Sequence, residues 1–221
     1  MTLKPICLLA LDIGTTAVKA ALFDVMGKLL GLGADEYSLE TPRPDFVELE
    51  VEQYWKSTQI ALQKALQQAG VAPAQILGLS VTGQAETLIL LDQQGVPLRK
   101  AIVWLDNRAV DQAKEIEEHF GLTELFRMSG QNEMLPCWPA AKLLWIRQHE
   151  PGLFVRVGSI MMVEDYIVYR LSGERATCRA LLPSTLYYDL ERKDYSSEML
   201  KYLGISRSQL PALKDSGEAV A

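Results

Sequence analysis

Cysteine and histidine are scarce in this sequence, and it has no apolar run long enough to cross a membrane. The cysteines Cys7, Cys137 and Cys178 are odd in number and form no Cys-x-x-Cys pair. That pattern argues against a disulfide framework and favours a reducing compartment. His119 and His149 have no metal-ligand partner nearby in sequence, so both are expected to be structural. These absences predict a cytoplasmic protein that does not contact a membrane.

The chain also lacks an excess of positive charge. Lysine and arginine total 22 against 28 acidic residues, which gives a formal net charge of −6. No basic stripe is visible, and this argues against a nucleic-acid-binding surface. The apolar run that ends at Leu11 is too short for a signal peptide and is followed at once by Asp12. A chain of 221 residues suits one large domain or two small ones.

Hydrophobic periodicity predicts an α/β protein in which strands dominate the first hundred residues and helices the remainder. The first strand, 6–11, is continuously apolar and is expected to be buried on both faces. The helix 51–70 is expected to bury one stripe, formed by Trp55, Leu62, Leu66 and Ala69. The other predicted strands are 17–24, 29–39, 76–83, 87–92, 98–104 and 159–163, with 87–92 and 98–104 forming a hairpin, and the other predicted helices are 107–121, 140–151, 164–173 and 196–204.

The stretch DIGTTAVK, residues 12–19, resembles a phosphate loop but has neither of the common nucleotide fingerprints. The spacing Gly-x4-Gly-Lys-Ser/Thr is absent, and so is Gly-x-Gly-x-x-Gly. A strand hairpin that grips phosphate at its turn fits better: Gly14 permits a tight turn, and the hydroxyls of Thr15 and Thr16 can donate to phosphate oxygens. Asp12 can hold Mg²⁺ through water, and Lys19 adds positive charge. A plain β-turn with incidental threonines is the alternative.

Several segments resemble the FGGY carbohydrate kinases, a family within the actin/hexokinase/Hsp70 superfamily. The first is LALDIGTTAVKAALFDVMGKLL; the others, in the family's order, are ILGLSVTGQAETLILLDQQGVPLRKAIVWLDNRA, KLLWIRQHEP, EDYIVYRLSGERAT and LKDSGEAVA. The resemblance implies a ribonuclease H-like α/β domain with a mixed sheet flanked by helices. It also implies ATP and Mg²⁺ as cofactors and a small sugar or polyol as substrate. Residues 1–221 would be the N-terminal substrate- and phosphate-binding domain without its C-terminal end. Dimers are common in the family, so a homodimer is one expected assembly.

The turn TGQAETL, residues 82–88, follows a strand and carries the first candidate sugar-binding residues. Gln84 can donate and accept, and Glu86 can accept from two hydroxyls. The resemblance assigns both to substrate contact, while a polar loop with a capping glutamate is the alternative. Glycerol kinases have arginine where this chain has Ala85, and xylulokinases read Gly-Gln-Met-His-Gly, so the turn agrees fully with neither group.

Two further segments resemble the family's sugar wall. In WLDNR, residues 104–108, Trp104 would pack on the sugar and the Asp106 carboxylate would accept hydrogen bonds from the sugar hydroxyls. The alternative is structural: Trp104 lies in the core, Asp106 or Asn107 caps the next helix, and Arg108 makes an ion pair. Trp138 would continue the aromatic wall. Cys137 stands where glycerol kinases have a tyrosine and is expected to be a packing residue.

The resemblance implies that the catalytic aspartate and the second, ATP-binding domain lie beyond Ala221. We therefore expect these residues to be part of a longer kinase and to be inactive alone, since phosphoryl transfer needs two lobes and exclusion of water. The favoured substrate is a pentulose such as xylulose. A non-catalytic actin-like protein that binds sugar or acts as a scaffold is the alternative, and an ATPase of the same superfamily without a sugar substrate is a third.

Overall fold

The computed structural model describes residues 6–221, which form two compact units. Unit 1 comprises the chain up to Leu39 together with Glu50–Gln84, and unit 2 comprises Glu40–Leu49 together with Ala85–Ala221. The strands are β1 (Cys7–Ile13), β2 (Ala17–Asp24), β3 (Leu29–Glu36), β4 (Glu48–Leu49), β5 (Ile76–Gly83), β6 (Leu88–Leu91), β7 (Ala101–Ile102), β8 (Ser159–Met162), β9 (Ala176–Cys178), β10 (Tyr188–Asp189), β11 (Asp194–Tyr195) and β12 (Ala212–Lys214). The α-helices are α1 (Val51–Ala69), α2 (Val110–Phe120), α3 (Leu122–Ser129), α4 (Pro139–His149), α5 (Pro151–Phe154), α6 (Val163–Ser172) and α7 (Ser197–Leu203).

Unit 1 is a mixed sheet with one long helix on it. The strand order is β3-β2-β1-β5: β1 pairs antiparallel with β2 and parallel with β5, and β2 pairs antiparallel with β3. Helix α1 packs on β3 and β2 and ends at Gly70, which has the left-handed conformation typical of a helix C-terminus.

The contact between α1 and β3 is close because both elements carry small residues there. A Cβ added at Gly33 would lie 2.1 Å from the carbonyl oxygen of Ala61. The predicted stripe of Trp55, Leu62, Leu66 and Ala69 is therefore wrong, since all four are only partly buried. The residues of α1 that are buried are Val51, Tyr54, Ser57, Thr58, Ala61 and Ala65. Because the backbones of α1 and β3 lie so close together, small side chains such as Ala61 and Ala65 fill the buried face of α1.

Strand β1 buries alternate residues. Leu9, Leu11 and Ile13 are at most 4% exposed, while Leu8 is 43% exposed. The expectation of a strand buried on both faces is therefore wrong for this structure. The apolar run is continuous in sequence, but one face of the sheet carries α1 and the other face of β1 is open in the described residues.

Unit 2 is built on a second four-stranded sheet, ordered β4-β7-β6-β8. Strand β6 runs antiparallel to β8 with Leu88 opposite Met162, and it also pairs with β7 at Leu88 and Ile102. The predicted hairpin is confirmed as this pair, although β7 is shorter than the predicted strand 98–104. All four residues of β6 are buried, and Leu88 and Leu90 belong to the core of unit 2, which α4 completes with a largely buried surface.

Short elements that the sequence analysis did not predict complete unit 2. They are β4, α3, α5, the parallel pair β9 and β12, and the antiparallel pair β10 and β11. Each strand in these pairs is two or three residues long, too short for a periodic pattern to be read. Among the described residues, no helix combines the length and apolar character needed to span a membrane.

Candidate functional site

The turn between β1 and β2 is fixed by hydrogen bonds from both sides. The Gly14 N–H donates to the carbonyl of Ala17 at 2.9 Å, and the Tyr37 N–H donates to the carbonyl of Thr16 at 3.0 Å. The Tyr37 hydroxyl donates to the carbonyl of Gly14. Burial, and after it the Asp12 carboxylate, raises the pKa of Tyr37 far above its usual value, so this hydroxyl remains a donor. The turn is therefore held in one shape, with Thr15 partly buried and Thr16 exposed.

Asp12 and Lys19 flank this turn on opposite strands. They are register partners in the β1–β2 ladder, and Lys19 Nζ lies 3.9 Å from Asp12 Oδ2. Their side chains are 60% exposed for Lys19 and 46% exposed for Asp12, so the pair adds little stability. Both charged groups remain accessible to a ligand at the turn. The five predicted phosphate-binding residues, Asp12, Gly14, Thr15, Thr16 and Lys19, thus lie together on one hairpin.

Gln84 is tied to the same hairpin through two tyrosines. Its backbone N–H donates to the carbonyl of Ile13 at 2.8 Å, and its Nε2 donates to the Tyr54 hydroxyl at 3.0 Å. The Tyr54 ring meets the Tyr37 ring edge-on, with centroids 5.5 Å apart. Glycine at position 83 lets the backbone at Gln84 approach Ile13, because a Cβ at Gly83 would lie 2.7 Å from the Ile13 carbonyl oxygen. Gln84 is 8% exposed and its Oε1 has no hydrogen-bond partner in the structure, which leaves an oriented acceptor.

Glu86, in unit 2, has a strained backbone that a buried lysine holds in position. Its φ angle of 64° lies in the left-handed region, which non-glycine residues adopt rarely. The ammonium of Lys142 donates to the carbonyls of Glu86 and Val103, both at 3.0 Å. Lys142 is fully buried, and burial lowers its pKa to about 8. It joins the segment before β6 to the segment after β7.

Trp104 follows Val103 and offers part of its ring to solvent. Its backbone N–H donates to the Thr87 hydroxyl at 3.1 Å, and its side chain is partly exposed. Thr87 is fully buried, so the Trp104 backbone is anchored on the residue that precedes β6. An anchored, accessible indole suits packing against the C–H face of a sugar, as predicted.

Asp106 makes a different set of contacts from those that a sugar-binding carboxylate would need. It is fully buried, and its oxygens accept from the Val47 N–H at 2.6 Å and from the Arg108 N–H, Nε and Nη2 at 2.7–3.1 Å. Arg108 in turn donates to Glu48 and lies over the Phe46 ring at 3.9 Å. This geometry favours the structural ion pair weighed above. Contact between Asp106 and a substrate stays a prediction.

Trp138 and its neighbour Cys137 lie at the start of α4. Trp138 is 5% exposed and belongs to the core of unit 2, so little of its ring is accessible for the predicted sugar contact, which stays a prediction. Burial raises the pKa of the Cys137 thiol, as expected for a packing residue rather than a nucleophile.

Lys142, Tyr37 and Tyr54 support the candidate residues but are absent from the predicted site. Lys142 had a usable sequence signal: it is a lysine among Ala140, Ala141, Leu143 and Leu144, all on a helix with little polar surface. A lysine at such a position must find buried acceptors. The tyrosines had no signal, because their role depends on contacts across unit 1.

In the part of the chain that the structure describes, no three histidine, cysteine, aspartate or glutamate side chains are arranged to hold a metal ion. A metal at Asp12 would therefore take its remaining ligands from water and from a phosphate. Mg²⁺ binds in this way, since it keeps several waters and needs few protein carboxylates.

The fold defines the class of protein first. A mixed sheet with a phosphate-type turn between its first two strands, together with the likeness to solved sugar kinases, assigns the chain to the ribonuclease H-like α/β fold of the actin/hexokinase superfamily. The predicted fold class is confirmed. The chain belongs to the FGGY family of carbohydrate kinases, whose N-terminal domain model matches residues 7–221.

Curated relatives and solved structures of this family carry different substrate names. The chain is 34% identical over 216 residues to a glycerol kinase of Thermococcus gammatolerans, covering 95% of this chain and 43% of that protein. It is 33% identical over 205 residues to a xylulose kinase of Klebsiella pneumoniae, covering 93% and 41%. A solved xylulose kinase from Rhodospirillum rubrum superposes with a TM-score of 0.88 at 26% identity, covering 94% and 42%. The chain thus spans less than half the length of these relatives.

Proposed function

We propose that the full-length protein is an ATP-dependent kinase that phosphorylates a hydroxyl of a small sugar or polyol, with a pentulose such as xylulose favoured. The observation that carries the proposal is the fixed Gly14–Thr16 turn with Asp12 beside it, in a chain that matches the N-terminal domain of carbohydrate kinases. These residues suit an anion and a hydrated metal better than they suit a purely structural turn.

The hairpin residues fit MgATP by their chemistry. Gly14 keeps side-chain bulk away from the turn, and the Thr15 and Thr16 hydroxyls can donate to phosphate oxygens. Asp12 would hold Mg²⁺ through water, and Lys19 would add positive charge beside it. Bound Mg²⁺ neutralises charge on the phosphates that react. The chain's own contribution is to orient these groups, and Tyr37 does so by holding the Gly14 carbonyl.

The sugar-side residues are Gln84, Glu86 and Trp104. The unpaired Oε1 of Gln84 can accept from a hydroxyl, and the Glu86 carboxylate can accept from two. Trp104 offers an accessible indole face. Sugar contacts by Trp138 and Asp106 stay predictions, since Trp138 is a core residue and the Asp106 carboxylate is hydrogen-bonded to Arg108.

A pentulose is favoured over glycerol because Ala85 and Cys137 stand where the resemblance to glycerol kinases would require arginine and tyrosine. Relatives named as xylulose kinases and as glycerol kinases both occur among the matches, so the names alone do not choose between the two substrates. We also propose, on the same resemblance, a cytoplasmic location and assembly as a homodimer.

Transfer of labelled γ-phosphate to a panel of sugars tests this function. The full-length protein would be incubated with MgATP and, separately, D-xylulose, D-ribulose, xylitol or glycerol. We expect labelled sugar phosphate with at least one ketopentose and faster turnover than with glycerol. ATP hydrolysis that no sugar stimulates would contradict the proposal, and binding of sugar without transfer would support the non-catalytic alternative.

A further inference from the structure

Glu164 is a buried carboxylic acid for which the structure provides no partner. It is 3% exposed, and neither of its carboxylate oxygens has a hydrogen-bond partner in the structure. Its neighbour Asp165 is equally buried but accepts a hydrogen bond from the Met162 N–H at 3.0 Å, as a helix-capping residue does. Capping therefore explains Asp165 and leaves Glu164 unexplained. Burying an unpaired carboxyl is costly, so its retention calls for a ligand or another function.

The strand register brings Glu164 and Glu86 to the same edge of the sheet. In the antiparallel pair of β6 and β8, Leu88 lies opposite Met162. Glu86 precedes Leu88 by two residues and Glu164 follows Met162 by two, so both residues leave the sheet at the same edge. The electrostatics agree with this placement: burial, then Asp165, and to a lesser extent Glu86 raise the pKa of Glu164 to about 8.

Hydrogen bonds from buried side chains hold the backbone at this edge of the sheet. Lys142 holds the carbonyls of Glu86 and Val103, and Thr87 holds the Trp104 backbone. Glu86 keeps its left-handed conformation there. Both Glu164 oxygens are covered in the structure, so a ligand reaches them only when the side chain or its cover shifts. The hydrogen-bonded backbone around them keeps the remaining ordering cost of binding small.

We propose that Glu164 contacts the sugar as a second carboxyl beside Glu86, so that the two groups together recognise a ligand with neighbouring oxygens, such as a ketopentose. The inference rests on the proposed kinase function and adds a residue that the resemblance does not assign. The two carboxyls differ in what they offer. Glu86 in its ionised form only accepts hydrogen bonds, whereas Glu164 in its acid form also donates one. The pair can therefore bind a hydroxyl and a carbonyl oxygen side by side, and glycerol lacks that carbonyl.

Calorimetric titration of the full-length protein with D-xylulose and with glycerol tests this role. Glu164→Leu fills the volume without a polar group, and we expect it to weaken D-xylulose binding by about tenfold or more. Glycerol binding should change less. Glu164→Gln keeps a neutral donor and acceptor at the same position and should retain most of the affinity. Glu174→Leu, at an exposed position after α6, is the matched control.

Thermal melting separates this role from a structural one. Removing an unpaired buried carboxyl should leave the stability of Glu164→Leu unchanged or higher. A folded Glu164→Leu protein that binds D-xylulose as tightly as the wild type would overturn the inference. If Glu164→Leu failed to fold, Glu164→Gln would be compared with Glu86→Gln. An equal loss of D-xylulose affinity in these two variants would contradict the role of Glu164 as a neutral hydrogen-bond donor. Wild-type protein that bound no sugar of the panel would instead refute the proposed function, and this inference with it.

Discussion

At the scale of single residues, the backbone around Glu86 depends on the buried ammonium group of Lys142. This ammonium satisfies two carbonyls from separate segments of unit 2. A buried ammonium would be costly without such acceptors. Its position explains how Glu86 can keep a backbone conformation that is otherwise unfavourable.

Lys142→Met should destabilise the protein by about 1–3 kcal/mol, because it leaves two buried carbonyls without a donor. Urea unfolding at pH 7 measures this directly. Lys201→Met, at an exposed position on α7, is the control and should change stability little. Equal stability of the two variants would show that the Lys142 hydrogen bonds do not support the fold.

The same lysine predicts a pH dependence. Burial lowers its pKa to about 8 from an ordinary value of 10.5, so between these values the unfolded chain binds more protons than the folded one. The free energy of unfolding contributed by Lys142 therefore rises as pH rises from about 8 to 10.5. The stability difference between wild type and Lys142→Met should grow over that window. A difference that stays constant or shrinks would contradict the assigned pKa.

Asp106 is the residue at which structure and sequence expectation differ most. Asp106→Asn removes charge from a buried pair with Arg108, and we expect a loss of about 3–5 kcal/mol, as for other broken buried pairs. Asp111→Asn on the exposed surface of α2 is the control. Normal stability with impaired sugar binding would restore the substrate-contact role. Denaturant unfolding and calorimetry on the same samples separate the two results.

At the scale of elements, close packing of α1 on β3 decides the shape of unit 1. Gly31 and Gly33 both face the helix, and added Cβ atoms would meet its backbone oxygens at 2.4 and 2.1 Å. The sheet that carries the phosphate turn is therefore positioned by the absence of side chains on β3.

Gly33→Ala should lower the stability of the protein by about 1–3 kcal/mol, since an inserted methyl overpacks this contact. Gly78→Ala is a matched control, because a Cβ at that position on β5 would meet nothing within 4 Å. Thermal melting compares the two. A Gly33→Ala protein as stable as Gly78→Ala would show that α1 can move away from β3 without cost.

The long elements and the phosphate hairpin could be predicted from sequence, since each has its own local pattern. The β1–β2 turn, α1, β5 and α4 all lie within a few residues of their predicted bounds. The buried face of α1 could not be predicted, because it depends on glycines of another strand. The contact between Asp106 and the Val47 N–H was equally hidden, because the two residues are separated by more than fifty positions in sequence. Sequence spacing identifies candidate groups, while their pairing depends on tertiary contacts.

At the scale of the whole molecule, the chain divides its candidate functions between two units. Unit 1 carries the phosphate turn and Gln84, and unit 2 carries Glu86, Trp104 and the residues that support them. Because the chain spans less than half of its relatives, catalysis is a property to be tested on the full-length protein. We propose that Asp12 serves phosphate and metal rather than sugar.

Asp12→Asn in the full-length protein separates these two roles. The change keeps the size of the side chain and removes the charge that would hold Mg²⁺ through water. Sugar affinity by calorimetry and phosphoryl transfer by labelled ATP would be measured on the same preparation. This role of Asp12 predicts unchanged sugar affinity and a transfer rate that falls by about tenfold or more. An unchanged transfer rate, or a loss of sugar affinity at normal transfer, would contradict it.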